Sequence, residues 1–265
     1  MSDNWLDEQE VNQYLGLIGV SRKQPSVEFL TEIIGCTLEY VPFQNLTMLD
    51  SDRTVPAIDD IKQLMLSGIG GICTIRNPFI QQLLRKLGFD AKLVASTIMN
   101  PDCHITIIVD IEGELWWCDP GNGFPYFSII RLGDETTKSH PFLDYRLTET
   151  DGTWSLEHKS SDGNWFTNYF FKLDFVDFDY FDNMYLWHYT DPSFGPFLTG
   201  LRFNKWTDES GVILRDSRAT ALKETVRLES ASEFENWVDS NSHPLRFENL
   251  LGSKRDIDKL WKVIQ

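Results

Sequence analysis

Cations are scarce in this chain. Its 265 residues hold 24 Lys and Arg against 40 Asp and Glu, a formal net charge of −16. Nucleic acid and anionic membranes both demand clustered Lys and Arg, so neither is expected as a partner. No apolar run approaches the length that spans a bilayer. The start, Met1 to Glu8, is acidic and lacks the basic-then-apolar order of a secretion signal. Cysteine is sparse as well: four, at positions 36, 73, 103 and 118, with no C-x-x-C pair. Free thiols and a cytoplasmic location follow as the expectation. Internal repeats and low-complexity linkers are missing too, which leaves domain boundaries soft.

Hydrophobic residues make up 42% and charged residues 24%, ordinary for a globular chain long enough to bury a sizeable core. The first third reads as helices. Val11, Tyr14, Leu15 and Ile18 form one apolar stripe; Val27, Leu30, Ile33, Ile34 and Leu38 form a second, which Pro42 ends. Ile58, Ile61, Leu64 and Met65 form a shorter third. From Asp90 to about Gly200 the pattern changes to strands: Lys92 to Ile98, a hairpin over 104–119, Phe142 to Leu147, Trp154 to His158, and Trp165 to Leu173. The last part is mixed. Leu201 to Trp206, Gly211 to Arg215 and Leu222 to Leu228 read as strands, with helices expected at Ala231 to Val238 and near Asp256 to Val263.

The chain is organised around Gly68-Ile69-Gly70-Gly71-Ile72-Cys73, which runs into an amphipathic helix with Phe79, Ile80, Leu83, Leu84 and Leu87 at helical spacing. Glycines allow a sharp turn, and the helix N-terminus that follows favours a thiolate over a thiol. Cys73 is therefore a candidate nucleophile. A small buried cysteine at a helix start fits the same stretch, so a histidine and a carboxylate are needed elsewhere.

Both are present. His104 opens the β-branched run Ile105-Thr106-Ile107-Ile108-Val109, and Asp119 closes Glu114-Leu115-Trp116-Trp117-Cys118. Glu112-Gly113 between them is a two-residue hairpin loop. Centring the turn there pairs positions whose numbers sum to 225, so His104 and Asp119 fall diagonally on one face. A slip of one residue would separate them. A Cys73–His104–Asp119 relay is the result.

These residues carry a resemblance. The order Cys, His, Asp with Gly-Gly-x-Cys before a helix is similar to the arylamine N-acetyltransferase family. Val41-Pro42-Phe43-Gln44-Asn45-Leu46 resembles that family's I/V-P-F-E-N-L, and Gly70, Gly71, Cys73 and Asn77 match its R-G-G-x-C-x-E-x-N. His104 to Val109 resembles its H-L-x-L-x-V, and Asp119-Pro120-Gly121-Asn122-Gly123 its D-x-G-F-G. Four positions depart: Ile69 replaces the arginine, Ile75 the second glutamate, Gln44 the first, and Asn122 the phenylalanine. Loss of the Arg and Glu at 69 and 75 together reads as removal of an ion pair, cheaper than losing one partner.

The resemblance implies an α+β fold: a helical bundle over 1–88 carrying the nucleophile, a central antiparallel β-barrel over 89–200 carrying His and Asp, and a C-terminal α/β lid over 201–265. It implies ping-pong acyl transfer from acetyl-CoA or another acyl-CoA, used as co-substrate with no resident cofactor, to an arylamine, hydrazine or hydroxylamine. Asn122, Phe124 and Tyr126 would line the acceptor side. Two alternatives stand beside this: an amide synthase fed by a carrier-protein thioester, and a homologue that binds without turnover. Zinc is disfavoured, since Cys103 and Cys118 face away from their neighbours His104 and Asp119. Asp174 to Asp182 lacks the glycine and terminal glutamate of a calcium loop, and reads as aromatics in the core with carboxylates on the rim. His140, His158, His188 and His243 have no partner that sequence identifies.

Overall fold

The protein is represented by a computed structural model that describes residues 5–50, 54–221, 224–241 and 260–262. Five helices lead: α1 (Glu8–Leu17), α2 (Val27–Tyr40), α3 (Leu46–Asp50), α4 (Ile58–Leu66) and α5 (Cys73–Lys86). Each of the three expected stripes is the buried face of one of them. Asp7 and Ser26 cap α1 and α2 by accepting from backbone N–H groups three residues on. A two-residue strand, β1 (Phe43–Gln44), interrupts the helices.

The middle of the chain forms an eight-stranded antiparallel sheet. It comprises β2 (Asp90–Thr97), β3 (His104–Ile111), β4 (Glu114–Cys118), β5 (Ile130–Arg131), β6 (Lys138–His140), β7 (Leu143–Thr150), β8 (Thr153–Lys159) and β9 (Trp165–Val176). The spatial order is β5-β4-β3-β2-β9-β8-β7-β6, a curled sheet whose end strands β5 and β6 do not pair with each other. The hairpin register is the expected one: Ile111 faces Glu114, and Ile107 faces Cys118. Glu112 and Gly113 both have positive φ, 56° and 83°, as a type I′ turn requires.

Alternation along β3 divides its side chains between two cores. Ile105, Ile107 and Val109 pack with the helices, and so does Cys118. Ile108 faces the concave side of the sheet with Val94, Trp117, Tyr145 and Tyr169. His104 and Thr106 share that concave face with Ile108, and Asp119 shares it with Trp117.

Helix α6 (Asp182–Thr190) follows a 3-10 turn and returns to the helical core through Met184, Tyr185 and Tyr189. A second sheet contains β10 (Arg202–Trp206), β11 (Gly211–Arg215), β12 (Arg218–Ala221) and β13 (Glu224–Arg227), with β1 added at its edge by pairing to β10. Its Phe203, Leu214 and Ala219 pack on Phe234 and Val238 of α7 (Ala231–Asn241). The strand expected at Leu222 to Leu228 is present as β13, while β12 before it has no counterpart in the sequence expectation. The helix expected near Asp256 to Val263 lies outside the described residues, except for 260–262, which are helical.

Candidate active site

Gly70 makes the turn before α5 possible. Its φ is +71°, and a Cβ there would lie 2.1 Å from the Pro42 carbonyl oxygen. Phe43 of β1 and Gly71 form an isolated parallel bridge, so this turn is tied to the V-P-F segment. Cys73 is the first residue of α5 and is buried. Ile72, at the cap position, offers no side-chain acceptor to the first turn, which leaves backbone donors there for another acceptor.

Pro78 lies within α5 and cannot donate to the carbonyl four residues back, that of Thr74. The Tyr185 hydroxyl of α6 donates to Thr74 O instead. This bond fastens α6 beside the nucleophile.

His104 Nε2 lies 2.7 Å from Asp119 Oδ2, and Cys73 is close enough to act on the charge of the ring. Burial alone would lower the His104 pKa. The Asp119 charge, then Cys73, and the hydrogen bond to Asp119 outweigh it and hold the imidazole well above its usual range. Asp119 is fully buried and fully engaged. Its Oδ2 also accepts from the Tyr169 hydroxyl at 2.7 Å, and Oδ1 accepts from Asn77 Nδ2 at 2.7 Å. Tyr169 in turn accepts from Trp117 Nε1 at 2.9 Å. Gly121 leaves room for Asn77, since a Cβ at 121 would sit 2.6 Å from the amide.

Arg76, one helical turn from Cys73, has an almost fully buried guanidinium. Its Nε donates to Pro120 O at 2.7 Å, and Nη1 donates to Val41 O and Pro42 O at 2.5 and 2.8 Å. One side chain thus joins the helix mouth, the V-P-F segment and the loop after Asp119. Desolvation lowers its pKa to about 10, opposed by Tyr14 and Asp119, and it stays protonated at neutral pH.

Of the expected acceptor-side residues, Asn122 lies against the relay, with Nδ2 3.5 Å from His104 Nε2. Tyr126 is buried, and its hydroxyl donates to Asn122 Oδ1 at 3.2 Å and meets His158 Nε2 at 2.6 Å. Phe124 is half-buried, edge-on to His158. His158 and His188, unassigned from sequence, are buried and bonded. His188 Nε2 pairs with Cys103 O at 2.9 Å, and its Nδ1 has no partner. His243 lies outside the described residues.

Two expectations are corrected here. Ile69 and Ile75 do not replace one ion pair, because they sit in different cores: Ile75 among the helices, Ile69 beside the α7 cluster. Gln44 is the departure that meets Ile69, donating to the Ile69 and Gly70 carbonyls at 3.4 Å. The aromatics of 174–182 are not all in the core either. Phe181 is buried, but Phe175 and Tyr180 are 43% and 52% exposed. Among the described residues no cluster of His, Cys, Asp or Glu could hold a metal ion. No helix among them is long and apolar enough to cross a membrane.

Comparison with known proteins fits this geometry. A family model described as N-acetyltransferase matches residues 26–241, most of the chain. The chain belongs to the arylamine N-acetyltransferase family. Among curated members, it is 29% identical over 162 residues to the Salmonella typhimurium arylamine N-acetyltransferase / N-hydroxyarylamine O-acetyltransferase. It is 27% identical over 161 residues to Rattus norvegicus arylamine N-acetyltransferase 2. The chain spans 56% of the length of each. Among solved structures, the Salmonella typhimurium arylamine N-acetyltransferase superposes with a TM-score of 0.84 at 20% identity, covering 98% of this chain and 99% of that one. The Mycobacterium abscessus arylamine N-acetyltransferase also gives 0.84, at 21% identity, covering 100% and 98%. The family fold thus extends through the second sheet, which the family-model match to residues 26–241 also covers.

Asn77 could have been found from the sequence, because i+4 spacing puts it on the Cys73 face of α5. Tyr169 and His188 could not. They arrive from strands and helices far along the chain.

Proposed function

We propose that this protein is a ping-pong acyltransferase. It takes an acetyl or other acyl group from an acyl-CoA thioester onto Cys73 and passes it to an arylamine, hydrazine or hydroxylamine. The observation that carries the reading is the continuous contact Cys73–His104–Asp119 at the mouth of α5. A protonated His104 beside Cys73 stabilises negative charge on sulfur, which attacks the thioester carbonyl. Backbone N–H groups of the first turn of α5 stabilise the oxyanion, and the CoA thiolate leaves with the His104 proton. Neutral His104 then takes a proton from the incoming amine as it attacks the acyl-cysteine. Collapse of the second tetrahedral intermediate releases the product, expels the Cys73 thiolate and so restores the thiolate beside a protonated His104. Asp119 keeps Nε2 protonated throughout, so Nδ1 is the atom that exchanges protons with sulfur and acceptor.

Intact-protein mass spectrometry after incubation with acetyl-, propionyl- and malonyl-CoA, without acceptor, tests this. One acyl group should add, be absent from Cys73→Ala, and discharge on adding an aromatic hydrazine. If no acyl-CoA adds mass while iodoacetamide still labels Cys73, acyl-CoA transfer is wrong.

A further inference from the structure

A chain with 24 cationic and 40 acidic side chains has no electrostatic need to set its arginines side by side. In the second sheet it does so. Arg202 lies directly opposite Arg215, Arg215 opposite Arg218, and Arg218 opposite Arg227. Directly paired residues share a face, so the four form one row across β10 to β13, about 14 Å long at ordinary strand spacing. Like charges directly opposite one another are destabilising. Counter-charges are few: Arg202 Nη1 lies 3.2 Å from Asp216, and Arg227 Nε lies 3.9 Å from Glu229. Arg215 and Arg218 have no ion pair or hydrogen bond among the described residues.

The placement of the row is informative. The opposite face of this sheet is buried on α7, as described. The arginine face is the one carrying Asn204 and Trp206, whose side chains donate to Gly123 O at 2.6 and 3.0 Å. Gly123 ends the loop that begins at Asp119. Arg202 lies two residues from Asn204 on that same face, beside the segment that follows β1, and the row runs from there across the sheet with side-chain exposure rising from 21% at Arg202 to 72% at Arg227. An elongated ligand whose reactive end is at Cys73 and whose anionic end lies farther out matches this layout.

We propose that the Arg202–Arg215–Arg218–Arg227 row is the subsite for the phosphate groups of the acyl donor, a phosphorylated thioester of the coenzyme A type. The assignment rests on the acyl-transfer reading above. Guanidinium groups grip phosphate oxygens with paired, charge-assisted hydrogen bonds. A net charge of −16 would repel such a donor, but charges beyond about 8 Å are screened at physiological salt, so a local row decides the encounter. The unpaired Arg215 and Arg218 supply the attraction.

The test compares two donors on the full chain, wild type and Arg215→Gln, Arg218→Gln and the double variant. Acetyl-CoA carries phosphates, and the acetyl thioester of N-acetylcysteamine does not. Each removed arginine should lower kcat/KM for acetyl-CoA about tenfold, through KM. The short thioester should react unchanged, and high salt should erase the wild-type preference. Thermal unfolding of each variant monitors folding, and Arg218→Lys should restore part of the loss. An equal fall with both donors, or none with acetyl-CoA, overturns the proposal. Coenzyme A should also raise the thermal midpoint of the wild type far more than inorganic pyrophosphate does; an equal rise would make the row a general anion site and overturn the donor assignment. If neither donor acylates the wild type, the acyl-transfer reading fails. Calorimetric titration with coenzyme A then still reads the row, and equal affinity in wild type and the double variant would reject it.

Discussion

Asp119 shows how much a single buried carboxylate can be asked to do. It has no exposed surface, yet its two oxygens accept from His104, Tyr169 and Asn77. A buried anion is tolerable only when hydrogen-bonded on all sides. Three donors from β3, β9 and α5 meet that demand and fix the imidazole at the same time. Asp119→Asn should fold, since an amide fills the same space, but would present an N–H where His104 or Tyr169 now donates. The imidazole is then driven to the wrong tautomer. Acetylation of an aromatic hydrazine should fall by roughly four orders of magnitude, with circular dichroism unchanged. Near-normal turnover would mean that Asp119 does not orient His104.

Helix α5 carries Cys73, Arg76 and Asn77 within one turn, each touching a different part of the site. Its weak point is Pro78, whose ring removes the donor for Thr74 O. Tyr185 of α6 supplies the replacement. Removing that hydroxyl leaves a buried carbonyl unpaired, so Tyr185→Phe should cost about 1–3 kcal/mol in urea denaturation. Pro78→Ala restores the internal donor. In a double-mutant cycle the Tyr185→Phe cost should shrink markedly on the Pro78→Ala background. Strict additivity would show that the Thr74 carbonyl is not what Tyr185 stabilises.

The whole protein should be sensitive to mild acid. Burial lowers the pKa of both His158 and His188 from 6.5 to about 4, against the smaller raising effect of the Cys103 carbonyl on His188. As pH falls below 6.5 the unfolded chain takes up protons that the folded one refuses, so stability is lost until about pH 4. Each histidine accounts for about 3 kcal/mol over that window. His104 has the opposite sign. Its raised folded pKa adds stability that is full below 6.5 and lost as pH rises through the folded value, so it does not offset the acid loss. Urea unfolding between pH 7.5 and 4 should show stability rising with pH, and His158→Gln should flatten that slope. An unchanged slope would mean His158 titrates normally in the folded state.

Local chemistry made much of this molecule readable. Helical stripes located α1, α2 and α4, because burial of one face repeats every three to four residues. The Glu112-Gly113 turn set the β3–β4 register, and with it the shared face of His104 and Asp119, since the turn and both strands are contiguous. Glycines before Cys73 marked the nucleophile's elbow. What sequence could not determine was decided by contacts between distant segments. Tyr169 reaches Asp119 only because β9 pairs with β2, and Tyr185 reaches Thr74 only because α6 folds back on α5. The real neighbour of Ile69 proved to be Gln44, since two isoleucines six residues apart on a turn and a helix enter separate cores. The arginine row exists only after four strands align, because three separate hairpin registers must agree before the four side chains share one line. Side-chain periodicity is a property of one segment, whereas pairing between segments is settled by the packing of the folded chain.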